Sequence, residues 1–194
     1  RQAYKVEDEM RAVRRMAYLS IATSLATIVL KFGAYFLTGS VSLWSDALES
    51  LVNLAAGLVA LGALMVAEQP ADDRHAYGHD KAEYFSSGVE GALILVAAVS
   101  MVWSAVHRLI DPAPLARLGP CLVVAFLAGA ANFMTARIML KVARQHDSIT
   151  IEADAKHLLT DVWTSVGIIG GLLVVMAMPQ WAILDPLMAI AVGV

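Results

Sequence analysis

Residues 16–66 read MAYLSIATSLATIVLKFGAYFL, then Thr38-Gly39-Ser40, then VSLWSDALESLVNLAAGLVALGALMV. Each apolar run exceeds the ~20 residues that a helix needs to cross a bilayer, and a glycine-centred turn divides them. Lipid offers backbone groups no hydrogen-bond partners, so such runs must be helical or close into a barrel. Barrel strands of about 9–11 residues are too short to account for them. The same signal recurs at 84–107, 115–140, 157–178 and from 181 onward, which predicts an all-α membrane protein, a bundle of six transmembrane helices. Asp111-Pro112-Ala113-Pro114 is expected to break one helix, and Met178-Pro179 to separate the last two.

Composition agrees. Of 194 residues, 59% are hydrophobic and 16% charged, against about 25% charged in soluble domains. Six spans leave little length for a separate soluble enzyme domain. A net charge of −3 supplies no basic surface for nucleic acid. The lone Cys121 excludes an internal disulfide and a thiolate metal cage.

Residues 1–15 mix acids and bases without an apolar core and so do not form a signal peptide. They read as a cytosolic lead-in to a transmembrane domain over 16–194. Lys and Arg collect on the cytoplasmic side of short loops. Here Arg1, Lys5, Arg11, Arg14 and Arg15 precede the first run, Arg74 and Lys81 follow the second, and Arg137, Lys141 and Arg144 follow the fourth. The opposite loops hold only Arg108 and Arg117, which puts both termini in the cytosol. The sixth run stops at Val194 without a polar flank, so the chain is expected to end inside or just after its last helix.

An ionisable residue at a helix centre costs at least ~2.5–3.5 kcal/mol on insertion scales, and intramembrane acids commonly mark ion or proton paths. Asp46, Glu49 and Asn53 are spaced by three and four residues, and His157 and Asp161 by four, so each helix carries a polar stripe. Facing each other, Glu49, Asn53, His157 and Asp161 supply one imidazole nitrogen and three oxygens, enough for tetrahedral coordination of a divalent transition metal. Two ionised carboxylates would balance the charge of the ion. The bland alternative is that the stripes are interhelical polar glue, and for Asn53 alone that alternative is the better one. Lys31 suits snorkelling to the outer interface, Glu90 sits near the cytoplasmic end of the third run, and both suit a structural or pathway-lining place. His107 and His146 fall near span ends, where interfacial or solvated positions are expected. In the loop after the second run, Asp72, His75 and His79 have spacings suited to a surface metal site or an entrance funnel, although charged loop residues are usually just hydrated.

Gly39-Ser40-Val41-Ser42-Leu43, Glu49-Ser50-Leu51-Val52-Asn53, Gln69-Pro70-Ala71-Asp72-Asp73 with His75, Gly78-His79 and Lys81-Ala82-Glu83, Ala153-Asp154 with His157 and Asp161-Val162, and Asp185-Pro186-Leu187 occur in that order. Together they resemble the cation diffusion facilitator family over essentially the whole chain. The resemblance implies a homodimer in the bacterial inner membrane with six transmembrane helices per protomer. It implies exchange of a cytosolic divalent metal for protons by alternating access. By motif match it assigns the transport site to Glu49, Asn53, His157 and Asp161, a loop site to Asp72, His75 and His79, and to Lys81 a pairing role near the dimer junction.

Two departures stand out. The second-helix pair in the family is commonly Asp or His followed by Asp, whereas Glu49 is followed by neutral Asn53. Asp46, one turn earlier, is the candidate to restore that charge from behind the ligands. The cytoplasmic C-terminal domain of the family is also missing from the sequence, which suggests a membrane-domain portion of a longer protein.

The mechanism expected is that a 2+ ion binds Glu49, His157 and Asp161 with Asn53 completing the set, displacing protons. Proton return then releases the ion, with His157 the expected carrier because imidazole changes charge near neutral pH. Zinc, iron, manganese, cobalt and nickel all suit an N/O site. Two competing readings are an intramembrane metal-dependent hydrolase, which lacks a His-Glu-x-x-His signature, and a non-transporting metal sensor or scaffold.

Overall fold

The computed structural model describes residues 2–67, 81–146 and 149–193, and among them the chain is all-helical. α1 spans Gln2–Thr38, α2 Val41–Ala67, α3 Lys81–Ile110, α4 Leu118–His146, α5 Ile149–Ala177 and α6 Leu184–Gly193, with a 3-10 turn at Pro179–Trp181 before α6. Four stretches, Arg15–Thr38, Ser87–Ile110, Leu118–His146 and Ile151–Ala177, are long and apolar enough to cross a membrane. The described part of α6 has 10 residues, about half of what a bilayer requires.

The expected breaks occur where the sequence puts them. Gly39 takes φ +69°, the left-handed conformation that only glycine adopts without strain, and its N–H donates to the Tyr35 carbonyl at 2.7 Å. Residues 112–117 are non-helical. Arg108 explains its own presence at this end of the bundle, because its guanidinium donates to the carbonyls of Gly39 and Ala113 and ties the α3–α4 loop to the α1–α2 turn.

Two helices run further than their apolar segments. α1 begins at Gln2, in a stretch rich in strong helix formers. α5 begins at Ile149 rather than near 157. There Ile151, Ala155 and Leu158 pack on Ala136, Met139 and Ala143 of α4, and on the exposed face Glu152 pairs with Lys156 at 2.7 Å. His157 therefore sits in the third turn of its helix, inside the bundle's length rather than at a helix end.

α4 packs between α1 and α5, while α2 packs on α3 and α6. The two groups meet along α1–α2, α2–α5 and α5–α6. Small residues let the backbones approach: Ala34, Ala47, Ala105, Ala125, Ala128, Ala136, Ala155 and Ala189 are all buried, the pattern expected where van der Waals packing rather than water drives helix association. Phe36, Leu95, Val96, Trp103, Phe126, Met134 and Trp163 are exposed, an apolar exterior suited to lipid. Cys121 is buried and free, in a cluster with Ala34, Leu43 and Leu172.

Candidate functional site

α2 is fixed at its first turn. Ser40 is the N-cap, its Oγ accepting the Leu43 N–H at 3.2 Å. Asp185 of α6 takes the other free donors: Oδ2 accepts the Val41 N–H at 2.9 Å, and Oδ1 accepts the Ser42 N–H at 3.1 Å and the Ser42 hydroxyl at 2.6 Å, with the Ser40 hydroxyl as a further donor. A carboxylate 1% exposed is thereby satisfied by helix N-terminal donors and by the positive end of the helix dipole.

Deeper in the bundle, Lys31 donates to Asp46 at 2.7 Å and to Ser50 at 2.8 Å, and Ser165 donates to Asp46 Oδ2 at 3.2 Å. Lys31 does not reach an interface. It is 1% exposed, and its ammonium finds a carboxylate inside the bundle instead of water. The Asp46–Ser165 contact sets the register of α2 against α5, so that Ser50 falls level with Asp161 and Asn53 with His157.

Below this network, away from the turn at Gly39, lies a cavity of about 310 Å³. Asn53, His157 and Asp161 line it with Ser20, Ser24 and Asp154. Asp161 is 6% exposed, whereas His157 is open to the cavity side of the bundle. Among the described residues these three make no side-chain hydrogen bonds to protein, in contrast to Lys31, Asp46, Ser165 and Asp154, the last of which accepts from Ser20 at 3.1 Å. Polar glue is thus present, but it consists of other residues.

Glu49 stands apart. It lines a second hollow between α2, α5 and α6, with Trp163, Thr164, Ile168 and Met188. Four residues of α-helix advance about 400°, so Glu49 is some 40° round from Asn53 and lines the neighbouring hollow. Among the described residues no three His, Cys, Asp or Glu side chains are grouped to hold one ion. Glu90 of α3 and Asp154 join Asn53 and His157 along an adjoining hollow. His107 is exposed in the last turn of α3, and His146 half-buried in that of α4. Asp72, His75 and His79 lie outside the described residues, as does the side chain of Lys81.

Sequence reasoning assigned no role to Asp185 or Asp154. The first was signalled by an Asp-Pro pair opening an apolar run, a costly place for a carboxylate without donors. The second lies three residues before His157 on the stripe that continues to Asp161.

The described geometry has a largely apolar cavity at the seam of two helix groups, with Asn53, His157 and Asp161 among its polar groups. Residues 17–194 match the cation efflux transmembrane domain. The chain is 50% identical over 183 residues to an uncharacterized transporter of Synechocystis sp., covering 94% of this chain and 59% of that protein. It is 30% identical over 186 residues to the cation-efflux pump FieF of Klebsiella pneumoniae, covering 95% of this chain and 61% of the pump. The match to FieF of Escherichia fergusonii is 29% over the same length. The chain thus spans about three fifths of the length of these relatives. It belongs to the cation efflux family of integral membrane proteins, whose members are transporters rather than enzymes.

Proposed function

We propose that the chain carries a divalent transition-metal cation out of the cytosol in exchange for protons, by alternating access. The observation that carries the proposal is the cavity shared by Asn53, His157 and Asp161 at the meeting of α1 and α5 with α2. These three side chains offer one imidazole, one carboxylate and one amide, a donor set suited to zinc, iron, manganese, cobalt or nickel. Both termini face the cytosol in this reading, all six helices belong to the bilayer, and the cavity is reached from the cytosolic end where α1 and α5 begin.

Glu49 completes the ligand set when α2 turns relative to α5. A turn of the α2 group as a body against α5 brings the Glu49 carboxylate toward the cavity that Asn53 lines. Such a turn of one helix group against the other is the kind of movement that alternating access needs. Metal and protons compete for the same lone pairs of His157, Asp161 and Glu49, so loading displaces protons and protonation releases metal. Asp46 supports the set from behind through its bond to Ser165. Asp72, His75 and His79 form a cytosolic loop site that collects ions. The working unit is a homodimer in the bacterial inner membrane, with Lys81 near its junction.

Proteoliposomes loaded with a pH-sensitive dye test the exchange. Added zinc is expected to drive proton movement in the opposite direction, and zinc uptake with no accompanying proton movement contradicts antiport. Asn53→Asp adds a carboxylate, and it is expected to change the relative rates of at least one pair of the five metals by about tenfold with little change in thermal stability. Unchanged relative rates in a competition flux assay would remove Asn53 from the ligand set.

A further inference from the structure

Lys31 is buried at the centre of the bundle and takes no part in the exchange described above. Its ammonium is shared between Asp46 Oδ1 and Ser50 Oγ, and Ser165 Oγ bonds the same Asp46 carboxylate. Ser50 also lines the cavity beside Asn53 and Asp161. The ammonium therefore stands one hydroxyl behind the cavity wall, on the side toward the turn at Gly39. A buried ion pair is weak evidence for a stabilising role, because desolvation offsets the attraction and apolar replacements are often neutral or better. What its position does supply is charge. Buried charges are screened far less than exposed ones, so each half of the pair acts on an ion in the cavity, and with opposite sign.

We infer that Lys31 is a positioning residue for the cation: held on Asp46 and Ser50, it cancels the Asp46 charge behind the cavity. The ion is thereby confined to Asn53, His157 and Asp161 and is held loosely enough to leave. The inference rests on reading that cavity as the metal site. Freed from Lys31, Asp46 would act as an additional carboxylate within the field of the ion, and binding would tighten.

Zinc titration of the detergent-solubilised chain by calorimetry, at fixed pH and low ionic strength, tests this. Lys31→Met leaves Asp46 uncancelled and is expected to tighten zinc binding about tenfold or more, whereas Asp46→Asn leaves the ammonium uncancelled and is expected to weaken it by a similar factor. The double variant should bind within about threefold of the unaltered chain, as should Lys31→Arg, which keeps the charge. Shifts of opposite sign support the inference. Shifts of the same sign, or none, in folded protein overturn it and reduce the pair to a helix fastener. If Lys31→Met gives no folded protein by size-exclusion chromatography, Asp46→Asn decides against Lys31→Arg: weakened binding in the first alone supports the inference, and equal affinities overturn it. His157→Ala separates the two levels. Zinc affinity unchanged by that substitution overturns the metal site and this inference together, while His157-dependent binding without opposite shifts overturns this inference alone.

Discussion

His157→Ala is expected to abolish zinc-driven proton movement in proteoliposomes, with the flux falling about a hundredfold or more, and Asp161→Ala is expected to do the same. The magnitude follows from coordination chemistry: disturbing a group that only orients a ligand already costs 10–100-fold in affinity or activity, and these substitutions remove the ligands themselves. Folding should survive. Neither side chain bonds another described side chain, and His157 faces the open side of its helix, so neither removal orphans a buried partner. Size-exclusion profiles and thermal midpoints in detergent, taken with the flux, check both halves of the expectation. Unchanged flux in either variant removes that residue from the site.

Asp185→Ala is expected to have the largest effect on stability. The substitution strips the acceptor from the N–H groups of Val41 and Ser42 and from the Ser40 and Ser42 hydroxyls, all buried. A buried donor left unmade costs about 1–3 kcal/mol, and the serine hydroxyls can turn to other acceptors, so the sum is about 4 kcal/mol. At roughly 2–4 °C per kcal/mol for a domain of this size, the thermal midpoint should fall by roughly 10 °C. Asp185→Asn retains one acceptor oxygen and should lose about half as much. The measurement is a thermal melt by circular dichroism in detergent. A midpoint within about 2 °C of the unaltered chain would mean that the first turn of α2 is held by other contacts. Transport should fall with stability, because this clamp fixes the start of the helix that carries Glu49 and Asn53.

Much of this arrangement is legible in the sequence. The run at 41–66 appears as α2 over Val41–Ala67, and the break at Gly39 is the turn observed. Hydropathy succeeds there in placing the helix, because a continuous apolar run satisfies its own backbone groups as a helix. It fails at 149–156, where Glu152 and Lys156 look like loop residues yet occupy the exposed face of a helix whose other face, at Ile151 and Ala155, packs on α4. It fails too at Lys31, since a hydropathy profile does not distinguish a lysine that snorkels from one that meets a carboxylate on the next helix.

The candidate site was legible in part for a similar reason. Helical spacing groups Asn53 with Asp46 and His157 with Asp161, and the structure brings Asn53, His157 and Asp161 to one cavity. Spacing alone does not say which side of α2 meets α5, and the offset between Glu49 and Asn53 is enough to send Glu49 to the neighbouring hollow. That Glu90 and Asp154 stand together at the approach to the cavity emerges only from packing, because nothing in a linear sequence places α3 beside the first turns of α5.

The most direct test of the account is the location of bound metal. Anomalous diffraction at the zinc absorption edge, from crystals of the zinc-loaded chain, is predicted to give a peak in the cavity between α1, α2 and α5, with an imidazole nitrogen of His157 and a carboxylate oxygen of Asp161 about 2.0–2.2 Å away. Zinc bound stoichiometrically elsewhere, with His157 and Asp161 free of it, would contradict the account.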